Sequence, residues 1–422
     1  MSPSTRPPRV LLLYTTTGYQ AEDFLKAARR LEIETLIGTD RCHVLEDPWA
    51  DGAIPLRFED PEAAVRSIIE AAEQTPLDAI VPIGDRPTWV AALAAQALGL
   101  VHNPPGAVAS SRNKLRSRRA FQAAGLRGPA FSSHPITADP QKAGGGAPYP
   151  CVLKPLALGA SRGVIRANDP EEFEAAFRRV AALLTKPEIR AMRDEANEWI
   201  LVEGFIEGRE AALEGLMERG RLRPLALFDK PDPLDGPFFE ETLYVTPSRL
   251  DKTVQDEIVR TAEAAARGVG LLHGPVHAEM RVNAEGVWIL EVASRSIGGL
   301  CSRALRFAGG LALEEVILRH SLGLKIESDA LEDGASGVMM IPIPEGGILH
   351  RAEGLEEARG IDGVEEVTLT AKTREILVPP PEGSSYLGFI FARGSSPERT
   401  EESLRKAHRA LRFTITPGMV LD

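Results

Sequence analysis

Apolar positions along the first hundred residues alternate between two periods. Val10-Leu11-Leu12-Leu13 is a short, continuously apolar run, the pattern of a strand buried on both faces of a parallel sheet. Ala21 to Leu31 carries a helical pattern, Thr35 to Gly38 fits a second strand, and Asp78 to Ile83 reads as another buried strand. Asp60-Pro61-Glu62 is a helix start, with Asp60 as N-cap and Pro61 at the first helical position. Val65, Ile68, Ile69 and Ala72 follow it at helical spacing, and Trp89 to Leu98 supplies the next helix. This alternation predicts a doubly wound N-terminal parallel sheet that ends near Pro104-Pro105.

Asn113 to Ala124 reads as a basic helix, and Gly144-Gly145-Gly146 as a loop before a strand at Cys151 to Lys154. Asp169-Pro170-Glu171-Glu172 repeats the helix-start signal, with Phe173, Phe177, Val180 and Leu184 as its stripe. A strand at Trp199 to Val202 and a long helix at Leu250 to Val269 follow. Past Asp333, strands fit Gly337 to Ile343, Val364 to Leu369 and Tyr386 to Ala392, with a helix over Glu398 to Leu411. The expected architecture is α/β and α+β multidomain, divided at 1–107, 108–333 and 334–422. A chain of 422 residues has room for two to four such units.

A formal net charge of -11 argues against nonspecific binding to nucleic acid or membrane. It leaves room for a small polyanion in a cleft lined by a few lysines. The three cysteines, Cys42, Cys151 and Cys301, are scattered, which suits neither a disulfide framework nor a zinc site and fits a reduced, cytoplasmic setting. The polar, proline-rich stretch Met1 to Arg9 leads into an apolar run too short for a signal peptide or a membrane span.

Three stretches could carry chemistry. Gly274 to Val292 reads as a hairpin in which Val276, Ala278, Met280 and Val282 share one face and His277, Glu279 and Arg281 the other. With the turn centred on Glu285, Glu279 lies opposite Glu291, and Trp288, Leu290 and Val292 join the apolar face. Two facing carboxylates repel, unless a cation such as magnesium sits between them. The plain alternative is one solvated glutamate and one neutralised by Arg281. Just beyond, Ala293-Ser294-Arg295-Ser296-Ile297-Gly298-Gly299 offers an arginine suited to a developing phosphoryl charge, with glycines that let backbone approach an anion. An ordinary loop with a surface arginine is the alternative.

The second stretch ends an apolar strand in Lys154 and continues through Gly159, Ser161, Gly163 and Val164, a small-residue loop that can gather amides around phosphates. No Walker A loop is present. The third, Trp199 to Glu210, runs an apolar strand into an acidic turn where Glu203 and Glu210 could accept hydrogen bonds. Both also read as solvated surface. Lys114 lies in the basic helix, and Asp85 follows a strand end, where ligands of open α/β sheets gather, or simply caps a helix. Asp229-Lys230 and Glu240-Glu241 punctuate the centre of the chain.

In order and spacing these motifs resemble the ATP-grasp superfamily over nearly the whole chain, about Val10 to Leu421. The resemblance implies a central ATP-grasp domain of two α+β lobes, an N-terminal α/β domain and a C-terminal α+β domain. It implies that Lys114 and Lys154 contact the phosphates and adenine of ATP and that Ser161 to Val164, Gly163 included, cover the phosphates. Glu203 and Phe205 would form the hinge that reads adenine, and Glu210 would bind ribose. Glu279 and Glu291 would hold Mg2+, with Mn2+ as a substitute, and Arg295 would steady an acyl phosphate. The family's usual asparagine two residues after the second metal glutamate is Ala293 here, which leaves the number of metal ions open, with Ser294 or water as stand-ins. The size, the C-terminal domain and His277 resemble bacterial L-amino acid ligases.

The implied reaction joins a small carboxylate to an amine, two amino acids being the first expectation, with Asp85, His277, Ser294, Gly298 and Gly299 near the substrates. Alternatives are a ligase of another carboxylate in purine or secondary metabolism and a non-catalytic ATP-binding regulator. A nicotinamide oxidoreductase is disfavoured, since Tyr14-Thr15-Thr16-Thr17-Gly18 lacks the three-glycine fingerprint. A homodimer is the default expectation at this size.

Overall fold

The computed structural model describes residues 6–40 and 53–417; Cys42 and the first five residues lie outside that range. Strands β1 (Arg9–Tyr14), β2 (Glu34–Thr39), β3 (Ala53–Pro55) and β4 (Ala79–Pro82) form a parallel sheet in the order β3-β2-β1-β4. Strand alternation makes it doubly wound. Val10 and Leu12 pack with Phe24 and Ala27 of helix Ala21–Arg30. Leu11 and Leu13 pack on the other face with Ile68 and Ala72 of helix Pro61–Gln74 and Val90 of helix Thr88–Leu98. Asp60 caps its helix as expected, accepting from the Ala63 amide at 3.1 Å.

A four-stranded antiparallel sheet follows: β5 (Phe131–Pro135), β6 (Cys151–Pro155), β7 (Ile165–Ala167) and β8 (Trp199–Gly204), in the order β5-β8-β6-β7. Helix Pro170–Leu184 covers it with the stripe Phe173, Phe177, Val180 and Leu184, and Asp169 caps that helix through the Glu172 amide.

The largest sheet contains β9 (Arg209–Glu218), β10 (Arg221–Lys230), β11 (Leu243–Thr246), β12 (His273–Asn283) and β13 (Gly286–Ala293) in the order β13-β12-β9-β10-β11. Beyond β11 it continues through Ala335–Ile341, Gly388–Gly394 and Val364–Leu369. One eight-stranded sheet therefore runs across residue 334, although the C-terminal segment gathers an apolar cluster of its own around Leu349, Ile390 and Leu404. Helix Lys252–Val269 packs Ile258, Ala262 and Ala265 behind β12 and β13 and ends at Gly270, whose positive φ closes the helix. Among the described residues, no helix is long and apolar enough to cross a membrane.

Helix Pro397–Ala410 lies close to the strand at 335–341 because Gly337 has no side chain. A Cβ there would meet Tyr244 O at 2.7 Å and Leu404 Cδ1 at 2.9 Å. Gly337→Ala should therefore destabilise the fold by about 1–3 kcal/mol, seen as a lower melting temperature in a thermal scan; an unchanged transition would show that the contact yields freely.

Candidate active site

The hairpin of β12 and β13 forms one wall of a cleft. Val276, Ala278 and Met280 are buried in the core, while His277, Glu279 and Arg281 line the cleft. Glu279 stands opposite Glu291, as the pattern implied. The near-turn half differs from expectation. A two-residue turn pairs Asn283 with Gly286, and the register slips by one between Glu279 and Met280. The extra residue is a bulge, so Val287 and Ile289 join Val292 in the core, whereas Leu290 turns to the cleft beside Glu291.

The neighbouring strands bring charges that local motifs do not reveal. Glu210 on β9 pairs in register with Lys230 on β10 and with Arg281 on β12. The buried Lys230 ammonium lies 2.7 Å from Glu210 and 3.2 Å from Glu279, and also contacts Glu241. These three carboxylates lie close enough together to hold a metal ion, but Lys230 already supplies their cation. Burial opposes charge on Lys230, yet the three carboxylates hold its pKa well above the ordinary value. Burial and the adjacent Glu279 push Glu241 up to about 7. Glu210, expected to bind ribose, has its carboxylate engaged by Lys230 and by Arg281 at 3.2 Å.

His277 faces Glu214 across β9, bonded to it through Nδ1, and its Nε2 lies 3.2 Å from Glu279. Burial disfavours the imidazolium, but Glu214 and Glu279 outweigh it and raise His277 to about 9. Glu214 escaped the sequence reading. Its one signal was a lone glutamate in the apolar run Ala211 to Leu216.

At the other end of the cleft, Lys154 lies 2.6 Å from Glu203, and Arg118 grips the same carboxylate through Nε and NH2. Burial would raise the pKa of Glu203, but Arg118 and Lys154 together hold it near 2. Glu203 is thus an electrostatic anchor for two cations. The Phe205 amide donates to Pro150 O at 2.9 Å, so the residue offers its ring to the cleft, stacked under the Arg166 guanidinium at 4.1 Å. Lys114 Nζ donates to Leu158 O at 2.7 Å and lies 3.7 Å from Glu291. Ala160, Ser161 and Gly163 all have positive φ, which curls the small-residue loop as anion-holding backbone requires.

Arg295 Nε bonds Asp85 Oδ1 at 2.8 Å, tying the N-terminal sheet to the cleft. Burial opposes charge on both, and each holds the other ionised: Arg295 is shifted up and Asp85 down. Gly298 and Gly299 line the cleft. Ser294 does not. It turns away, accepts a bond from Ser111 at 3.3 Å and lines a separate cavity, because strand alternation sends it to the face opposite Arg295. It is not placed to replace a missing metal ligand.

The lid over this cleft is latched from the C-terminal segment. Gly163 N donates to Pro381 O and Arg162 Nε to Glu382 O, both at 2.7 Å. Arg179 on helix Pro170–Leu184 forks onto the Glu382 carboxylate at 2.6 and 2.9 Å. The cavity in the cleft measures about 430 Å³.

Residues 147–304 match the model of the ATP-grasp domain, 25–102 that of the ATP-grasp N-terminal domain, and 339–416 that of L-amino acid ligase C-terminal domain 2. The chain carries an ATP-grasp domain and an ATP-grasp N-terminal domain. It is similar to the L-amino acid ligase structure from Bacillus licheniformis, with a TM-score of 0.84 at 26% identity over 98% of this chain and 100% of that one. It is 30% identical to alanine–anticapsin ligase of Bacillus subtilis (strain 168) over 261 residues, 59% of this chain and 52% of that one. The chain thus spans about half the length of the curated relatives it matches. Phosphoribosylglycinamide synthetase from Anaerococcus prevotii shares the fold, with a TM-score of 0.68 at 16% identity over 97% of this chain and 100% of that one. The ATP-grasp architecture read from the motif order is the one the structure has.

Two outcomes test the electrostatics of this ATP-grasp site. Glu203→Gln leaves Arg118 and Lys154 without their counter-charge and should cost about 3–5 kcal/mol at pH 7. The folded-state pKa near 2 lies below the ordinary 4.5, so this stabilisation is full above 4.5 and is lost as pH falls toward 2. Denaturant titrations of the two proteins should therefore converge across that window; a constant gap would contradict the assignment. Glu382→Ala removes a partly exposed fork worth at most about 1 kcal/mol. Calorimetry should show ATP binding weakened about 2- to 5-fold, and unaltered affinity would remove the latch from nucleotide binding.

Proposed function

We propose that this protein is an ATP-dependent amide ligase that joins two amino acids through an acyl phosphate, releasing ADP and phosphate. The observation that carries this reading is the single cleft that gathers Lys114, Lys154, Arg295 and, facing one another in its wall, Glu279 and Glu291. Similarity to the L-amino acid ligase C-terminal model and to the Bacillus licheniformis ligase structure supports amino acids as substrates.

The donor set fits a divalent ion. Glu279 and Glu291 face one another across the ladder; Lys114 stands 3.7 Å from Glu291, and Arg295 also feels its charge. They would hold Mg2+, which neutralises phosphate charge when bound; Ala293 adds no ligand. The protein's own part is positioning and charge. Lys154 and Lys114 face the phosphates. A substrate carboxylate oxygen attacks the γ-phosphorus as the bond to ADP breaks. Arg295, held by Asp85, steadies the acyl phosphate. An amine then attacks the acyl carbon, the bond to phosphate breaks, and the departing phosphate takes up the proton that the amine loses. The latched loop at Ser161 to Val164 excludes water from the intermediate.

ADP and phosphate release, measured with ATP, magnesium and all pairs of common amino acids, tests this reading directly. The expected result is release tied to a dipeptide mass, reduced about 100-fold or more in Glu291→Ala. ATP binding without turnover on any pair would overturn it in favour of another carboxylate or a regulatory role.

A further inference from the structure

A second cavity of about 850 Å³ lies behind the small-residue loop and shares Asp85, Leu158 and Gly159 with the cleft. Only a thin wall separates the two: a Cβ on Gly159 would come within 3.2 Å of Asp85 Oδ2. The cavity therefore ends at the Asp85–Arg295 pair, where acyl transfer is placed above.

Its lining carries exposed cations with no carboxylate partner and one buried, unpaired acceptor. Arg116 and Arg119, one helical turn apart on Lys114–Ala123, and Arg193 line it, and among the described residues no hydrogen bond or ion pair engages their guanidinium groups. Most of its carboxylates are taken. Glu59 pairs with Arg86 at 2.9 Å, Asp85 with Arg295, and Asp194 caps the Ala196 amide at 2.9 Å. Glu195 is the one left without a recorded partner among the described residues. Asn197 is only 3% exposed, yet its Oδ1 has no hydrogen-bond partner. A buried, unsatisfied acceptor costs about 1–3 kcal/mol, and an N–H donor from a ligand would remove that cost. The indoles of Trp89 and Trp199 add flat apolar surface, and Trp199 is 41% exposed.

The complement of three free guanidinium groups, a free amide oxygen and two indoles is a ligand with several carboxylates and N–H donors. We propose that this groove docks the amine substrate, and that this substrate is an acidic amino acid or short acidic peptide whose amine reaches past Gly159 to the Asp85–Arg295 end of the cleft. The chemistry rests on the ligase reading; the binding does not.

The test uses the full chain with ADP and Mg2+. Glutamyl-glutamate is titrated by calorimetry and by tryptophan fluorescence, with alanyl-alanine as the neutral comparison. The wild type should bind glutamyl-glutamate saturably. Arg116→Glu/Arg119→Glu should weaken that binding at least tenfold, while Arg260→Glu, a charge reversal at a site on another helix, should not. In turnover, the ratio of kcat/KM for glutamyl-glutamate over alanyl-alanine should fall at least tenfold in the double variant. Matching melting temperatures exclude unfolding as the cause. Absent binding, or equal loss in Arg260→Glu, overturns the groove. Binding lost in the double variant without turnover of glutamyl-glutamate keeps the groove as a binding site and overturns its role in docking the amine substrate, while the ligase reading stands or falls with the amino-acid pairs above.

Discussion

The cleft depends on one buried ammonium. Lys230 meets Glu210, Glu241 and Glu279 from three different segments of chain, two of them strands adjacent to or one removed from its own. Three carboxylates this close in a low-dielectric wall would otherwise repel strongly. With Lys230 in place they become an ordered floor. Arg281 extends the network through Glu210, and His277 extends it through Glu279 to Glu214. Because each member satisfies the next, removal of one leaves several uncompensated charges. That coupling fixes where Glu279 points, and so where a divalent ion facing Glu291 could sit.

Two further connections make the cleft a property of the whole chain. The Asp85–Arg295 bond joins a loop after β4 to the segment after β13, residues 210 positions apart. The Glu382 latch joins the lid helix and the small-residue loop to the C-terminal segment. The cleft is therefore closed by contacts contributed from all three parts of the sequence. The continuation of the large sheet past β11 gives a mechanical reason for this: the strand at 335–341 pairs directly with β11, so the latch and the cleft wall share one framework.

What could be read in the sequence follows the reach of local periodicity. Burial on both faces of β1, the caps at Asp60 and Asp169, and the facing of Glu279 and Glu291 are all encoded within a few residues. The bulge at Leu290 was not, because nothing in Val287 to Val292 marks where an extra residue enters. Lys230, Glu241 and Glu214 looked like scattered charges because their roles arise from pairing between strands that are distant in sequence. Glu203 is the intermediate case. Its place at the end of an apolar strand was visible, but its partner Arg118 sits 85 residues earlier, in a helix that read only as basic. Ser294 shows the reverse error, since proximity in sequence to Arg295 does not survive strand alternation.

The charge pairing also explains how a chain of net charge -11 can present a site for a polyanionic nucleotide without a strongly positive cleft. Each cation there is already matched: Lys154 by Glu203, Lys230 by its three glutamates, Arg295 by Asp85, and Lys114 in part by Glu291. Fixed pairs hold the side chains in place at little cost in net field. On the proposed reading, such groups would orient phosphates more than they attract them. Of the carboxylates in this balance, Glu291 is held less directly, with Lys114 3.7 Å away and Arg295 acting on it through space. On the proposed ligase reading, positive charge arriving with the nucleotide as a divalent ion would therefore find at Glu291 a carboxylate that no cation grips closely.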